Sequence, residues 1–173
     1  MGEATTIEIR RAGPADARAV AEVHVGSWRH AYRGLLPDGY LDRLSVEERE
    51  GTWREALGGA SIGAFVGELG GRVVGFASFG PSRDGDAGRD VGEIPAIYVE
   101  PSALGTGVGR ELLGAATEAL RRAGFTRATL WVLEANEPAR RFYEKAGWRW
   151  DGPVSRHDFD CANEPVVRYA VQL

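Results

Sequence analysis

The sequence holds one cysteine and one methionine, and a single lysine among 21 basic residues. A lone Cys161 excludes an internal disulfide, so the fold must be held by its apolar core. Histidine is scarce as well. His24, His30 and His157 have no metal-ligand spacing among themselves, with Cys161 or with the acids, and no metal is expected. Long apolar runs are missing: the longest are strand-sized, far short of the ~20 residues that cross a bilayer as a helix. The opening MGEATTIEIRR lacks a basic-then-apolar leader pattern, so a cytoplasmic location and no membrane partner are expected. Excess positive charge is absent too. The net charge is −4 and the basic residues form no stripe, which argues against nucleic acid as a partner. All basic residues but Lys145 are arginine, and with the abundance of Ala and Gly this reads as compositional bias.

What remains is the profile of one soluble domain spanning residues 1–173. Hydrophobic residues make up 43% and charged residues 27%. A chain of this length buries about two-thirds of its unfolded surface and needs no metal or disulfide to fold. Residues 5–12 alternate as an edge strand. From Asp16, the apolar positions Ala17, Val20, Ala21, His24, Trp28 and Ala31 predict a helix over 16–33. Ser45 with Glu48 three residues on predicts a capped helix over 45–57. Strands 61–69 and 72–79 meet at Gly70-Gly71 as a hairpin. A polar loop follows, then a buried strand over 93–99 in which Pro95 marks a bulge or a missing ladder bond. Val108, Leu112, Leu113, Ala116, Ala119 and Leu120 give a helical face closed by Gly124. A strand over 128–134, a helix over 136–147 and closing strands at 149–152 and 166–173 complete an α/β chain with a mixed sheet and one right-handed crossover.

The stretch GTGVGR carries Gly105, Gly107 and Gly109 between a strand and a helix start. Two causes are open: a backbone that must bend, or a ligand that comes close. The context favours a phosphate, because first-turn N–H groups are unpaired and the helix dipole adds positive potential. No Gly-Lys-Ser/Thr follows, so this is not a Walker loop. A Rossmann-type dinucleotide site stays possible, with Glu134 as the ribose acid, although the loop sits late in the chain for that fold.

IYVEPSALGTGVGRELL and NEPARRFYEKAGW together resemble two motifs of the GCN5-related N-acetyltransferase (GNAT) family. The first is similar to its pyrophosphate-binding pattern, the second to its Asn-x-x-Ala-x-x-Phe-Tyr segment. The matched stretch runs over roughly residues 61–150. The resemblance implies a mostly antiparallel sheet with a splayed parallel strand pair and flanking helices, and acetyl-CoA as co-substrate. It implies that Gly105, Thr106, Gly107, Val108, Gly109 and Arg110 cradle the pyrophosphate, that Ile97, Tyr98 and Val99 hold the pantetheine arm, and that Asn136 bonds the same arm. Leu104 stands where the family has Gln or Arg. That residue contributes there mainly through its backbone, so the site is expected to persist with weaker affinity.

Acetyl transfer to an amine needs a neutral amine, a polarised thioester and a proton for the departing thiolate. By helical spacing Tyr143 reads as a core tyrosine; the resemblance implies the general acid. Asn136 reads as a helix cap. Glu93, at a strand start, is the expected base, often through water in the family, and Glu134 its rival. Cys161 is expected to stand aside. The resemblance places residues 27–44 over the acceptor, so Trp28 and Tyr32, with Tyr40, are candidates for the acceptor pocket or for helix packing. His24 is expected to be packed, His30 lies off the apolar face, and His157 falls in an expected loop near the acceptor mouth. Asp84, Asp86, Asp90, Asp158, Asp160 and Glu164 lie either in solvated loops or around the mouth for a cationic amine. The expected partner is a small-molecule or peptide amine. Edge strands at both chain ends suggest a possible homodimer. A non-catalytic acyl-CoA-binding module is the other alternative.

Overall fold

The computed structural model describes residues 6–159 and 162–173. Thr5, Asp160 and Cys161, which carried expectations above, lie outside them. The elements run β1 (Ile7–Arg11), α1 (Ala17–Ala31), α2 (Asp38–Asp42), α3 (Val46–Gly58), β2 (Gly63–Leu69), β3 (Arg72–Pro81), β4 (Val91–Val99), α4 (Val108–Arg122), β5 (Arg127–Leu133), α5 (Glu137–Lys145), β6 (Arg149–Asp158) and β7 (Asn163–Gln172). Single 3-10 turns precede α1 and follow β4. Among the described residues, no helix is long and apolar enough to cross a membrane.

One seven-stranded sheet has the order β1-β2-β3-β4-β5-β7-β6. Its one parallel pair is β4–β5, joined through α4; all other pairs are antiparallel. A single parallel pair excludes the doubly wound sheet that a Rossmann-type enzyme requires. The α4 stripe of Val108, Leu112, Leu113, Ala116 and Leu120 is buried on one face. Val20, Ala21 and Val23 of α1 and Trp53 of α3 cover the other, over Val66 and Phe76. Two helix starts, those of α3 and α5, are capped by side chains. Ser45 Oγ accepts from the Glu48 N–H at 3.2 Å, and Asn136 Oδ1 accepts from Ala139 N–H at 3.3 Å.

Three features differ from the sequence expectation. A one-turn helix, α2, occupies part of the segment after Gly34 and buries Leu41. Residues 153–158, taken as loop, continue β6 because they pair with 163–167 of β7. That places β6, not the C-terminal strand, at the second sheet edge; β7 lies inside, between β5 and β6. Alternation is weak in β6, an edge strand exposed along most of its length, so its periodicity was hard to read.

Candidate active site

The sheet opens at its parallel pair. β4 and β5 are hydrogen-bonded only over Val91–Glu93 against Arg127–Thr129. From Ile94 onward the two strands diverge, while β4 stays paired to β3 and β5 to β7. The divergence starts where β4 carries a bulge. Ile94 and Pro95 together face Phe79, between the pairs Gly80–Glu93 and Ser78–Ala96. Pro95 has no N–H to give to a ladder, so the bulge costs that strand no bond it could have made. The backbone of β4 facing β5 is thereby left open, an arrangement that can receive an extended, amide-bearing chain.

The resulting cleft is about 1600 Å³, roomy for a large ligand beside a second one. One end meets the N-terminus of α4. Gly107 caps that helix with no side-chain hydrogen bond, so the first-turn N–H groups remain available to an anion. Gly105 and Gly107 adopt φ of +77° and +97°, conformations that a side chain disfavours. The bend therefore accounts for two of the three glycines. Gly109 is helical, and a Cβ there would lie 3.5 Å from Phe142 and Val99, an ordinary contact. The protein's own packing does not demand glycine at 109, which faces the cleft. Arg110 and Lys145 line the same end, and Leu104 exposes 55% of its surface there. Thr106 instead bonds back to the Ala103 carbonyl, and the Val108 side chain is fully buried. Neither residue lines the cleft, so the expectation for both rests on their main-chain N–H groups alone.

Ile97, Tyr98, Val99, Asn136 and Tyr143 line the cleft further in. Tyr143 projects from α5 and is buried, and burial first, then the nearby Tyr98, holds its phenol proton far above the ordinary range. The neutral O–H is thus the form present at any physiological pH. Tyr98 points to the opposite face from its neighbours Ile97 and Val99. Its ring stacks on His24 at 5.5 Å between centroids and 8° between planes, and burial raises its phenol as well.

Neither candidate base lines the cleft. Glu93 is buried at 2% exposure, and its carboxylate accepts from Arg83 Nε at 2.7 Å; Arg83 is the one that lines the cleft. Glu93, expected to act through water, thus reaches the cleft only by way of Arg83. Glu134 is exposed and its carbonyl is held by Arg140 Nη1. His24 is packed as expected. Its Nδ1 accepts from Trp53 Nε1 at 3.0 Å, which puts the ring proton on Nε2.

The far end is walled by Trp28 and Tyr32 from α1 and its C-terminus, Trp131 from β5, and His157 and Phe159 from β6 and its end. Asp84 and Asp86 there are committed. Arg168, buried on β7, bonds Asp84, Asp86 and Asp151 together, and Asp84 also accepts from Trp131 Nε1 at 2.9 Å. Asp90 accepts from the Thr126 hydroxyl. Asp84 is neither a solvated-loop acid nor a free one at the mouth; Asp86 is exposed in its loop, with its carboxylate paired to Arg168. This network, with Trp131 and Phe159, was missed in the sequence. Trp131 alone carried a signal, a large aromatic inside a strand that faces the glycine loop's strand.

Residues 26–148 match the Acetyltransferase (GNAT) family. An uncharacterized N-acetyltransferase, YuaI, from Bacillus subtilis is 39% identical over 80% of this chain and 78% of its own length. Among solved structures, YncA, a putative acetyltransferase from Salmonella typhimurium with its cofactor acetyl-CoA, aligns with a TM-score of 0.74 at 26% identity, over 98% of this chain and 95% of that one. The PaiA N-acetyltransferase from Thermoplasma acidophilum in complex with coenzyme A also gives 0.74, at 19% identity, over 97% and 99%.

Proposed function

We propose, since this chain belongs to the Acetyltransferase (GNAT) family, that it moves the acetyl group of acetyl-CoA directly onto a primary amine held at the Trp28–Tyr32 end of the cleft. The observation that carries this reading is the gap between β4 and β5, which runs from the α4 N-terminus, free of any side-chain cap, past the buried Tyr143 side chain. The cleft fits the co-substrate by its own chemistry. N–H groups from Gly105 to Arg110, with Arg110 and Lys145, suit a pyrophosphate. The open edge of β4 over Ile97–Val99 suits amide groups along an extended arm, and Asn136 lies beside that path.

Acetyl-CoA supplies an activated acetyl thioester. The acceptor nitrogen forms the N–C bond as the C–S bond breaks, and the amine proton leaves to solvent. Tyr143 donates its proton to the departing sulfur and regains one from solvent, which balances the proton the amine released. Burial keeps that hydroxyl protonated, so the donor form is not lost at moderately alkaline pH. Glu93 acts one step back, by fixing the Arg83 guanidinium at the edge of the cleft.

Tyr143→Phe tests the assignment. Thiol release with acetyl-CoA and amine is expected to fall roughly 10²-fold in kcat, the usual worth of a general acid, while the KM for acetyl-CoA stays within about twofold. An unchanged kcat removes Tyr143 from the chemistry. Tight acetyl-CoA binding without turnover on any amine favours a non-catalytic acyl-CoA-binding module.

A further inference from the structure

We propose that the acceptor end of this cleft is built for a monoamine whose body is an aromatic ring, and that it disfavours polycationic amines. The inference rests on the acyl-transfer reading above and names the substrate class of the same site.

Three observations carry it. The first is the wall. Trp28 meets Tyr32 edge-to-face at 5.0 Å and Phe159 at 5.8 Å, and Phe159 meets His157 at 4.4 Å, all T-shaped. Edge-to-face rings leave faces and edges for a further ring to join, which adds attraction beyond the area buried. Tyr32 and Phe159 are themselves core residues, at 7% exposure each. They rest on Leu36, Leu41, Leu133 and Val166, so the wall is rigid and apolar behind its rings.

The second is the state of the acids. A polyamine needs carboxylates with open valence. Asp84 is the only carboxylate lining the cleft among the described residues, and its two oxygens serve Trp131 Nε1 and Arg168 Nη1. Glu93 is spoken for by Arg83. Asp86 and Asp151 complete the shell around Arg168.

The third is the balance of charge. Arg83 and Arg156 line this end, and Arg49 sits over the Trp28 ring at 5.8 Å. Arg156 is held by Asn163 through neutral oxygens, its side-chain Oδ1 and its carbonyl. A second or third ammonium on the acceptor would face guanidinium groups, which costs binding. The protein carries net negative charge overall, yet at this end Asp84 is the single lining carboxylate among the described residues, beside Arg83 and Arg156. A single amine, neutral when it attacks, with a ring to lay against Trp28 and Phe159, meets neither difficulty.

The test is thiol release with acetyl-CoA held constant and three acceptors: 2-phenylethylamine, n-propylamine and spermidine. We expect kcat/KM for 2-phenylethylamine to exceed that for n-propylamine by roughly tenfold or more, the worth of one well-packed ring, and spermidine to be slowest. Phenylalanine amide and a peptide with N-terminal Phe, run alongside, show whether the ring arrives on a free amine or on a chain terminus. Phe159→Leu keeps apolar volume and loses the ring. In that variant the preference for 2-phenylethylamine over n-propylamine is expected to drop several-fold. Spermidine or n-propylamine ahead of 2-phenylethylamine leaves acyl transfer standing and overturns the aromatic pocket. An unchanged preference in a folded Phe159→Leu does the same. Acetyl-CoA binding with no turnover on any of the five acceptors overturns the acyl-transfer reading itself, and the pocket assignment with it.

Discussion

Single residues here owe their roles to what surrounds them, and His24 is the clearest case. Its place on an apolar helical face was legible in the sequence, but its partners were not, because Trp53 and Tyr98 come from distant segments. Burial, and then the charge of Arg49, push its imidazole down to about 4, whereas an unfolded histidine titrates near 6.5. The sign follows. Between those two values the unfolded chain binds more protons than the folded one, so His24 supports stability fully above pH 6.5 and loses that support as pH falls toward 4. Urea melts across this window should show stability dropping with a slope of up to about 1.4 kcal/mol per pH unit from this site. His24→Gln should flatten that part of the profile; an identical profile in the variant would remove His24 from the titration. The same contrast separates Tyr143 from Glu93. Helical spacing alone made Tyr143 a core residue, and it is one, but it also lines the cleft. Glu93 occupies the expected strand start, yet its carboxylate turns to Arg83 because the strand there is still paired on both sides.

At the scale of elements, the sequence showed every long helix and most strands, since each has a clear period or a capping residue. Pro95 pointed to a disturbed strand, and the bulge opposite Phe79 lies at that residue. What stayed hidden were pairings set by tertiary contact. β6 continues past Trp150 only because β7 lies beside it, and the polar stretch 82–90 is held down by an arginine some 80 residues away. Arg168 ties that stretch and Asp151 of β6 to β7, with its guanidinium 5.7 Å from the Trp131 ring. Arg168→Met would leave three carboxylates without their shared cation. Removing one partner of a mostly buried ionic group costs about 3 kcal/mol, so thermal melts should show a drop of several degrees. A Tm within a degree of wild type would mean that the network is decorative. The variant should also raise the KM for the amine more than that for acetyl-CoA, because Asp84 and Trp131 shape the acceptor end.

Over the whole molecule, a single parallel strand pair inside an otherwise antiparallel sheet creates the working space. The pair holds for three residues and then parts. The same parting exposes the β4 edge, and the strand's own continuation leads to the α4 N-terminus, whose first-turn N–H groups have no side-chain cap. The glycine loop alone left bend and ligand unresolved. The structure divides the answer, with positive φ at Gly105 and Gly107 and an open, helical Gly109. Amide hydrogen exchange with and without acetyl-CoA tests the cleft assignment most directly. Binding should slow exchange at residues 94–99 and 105–110 by tenfold or more, and leave β1, β2 and the outer face of α3 unchanged. Acetyl-CoA that binds while leaving both of those segments unprotected would contradict it.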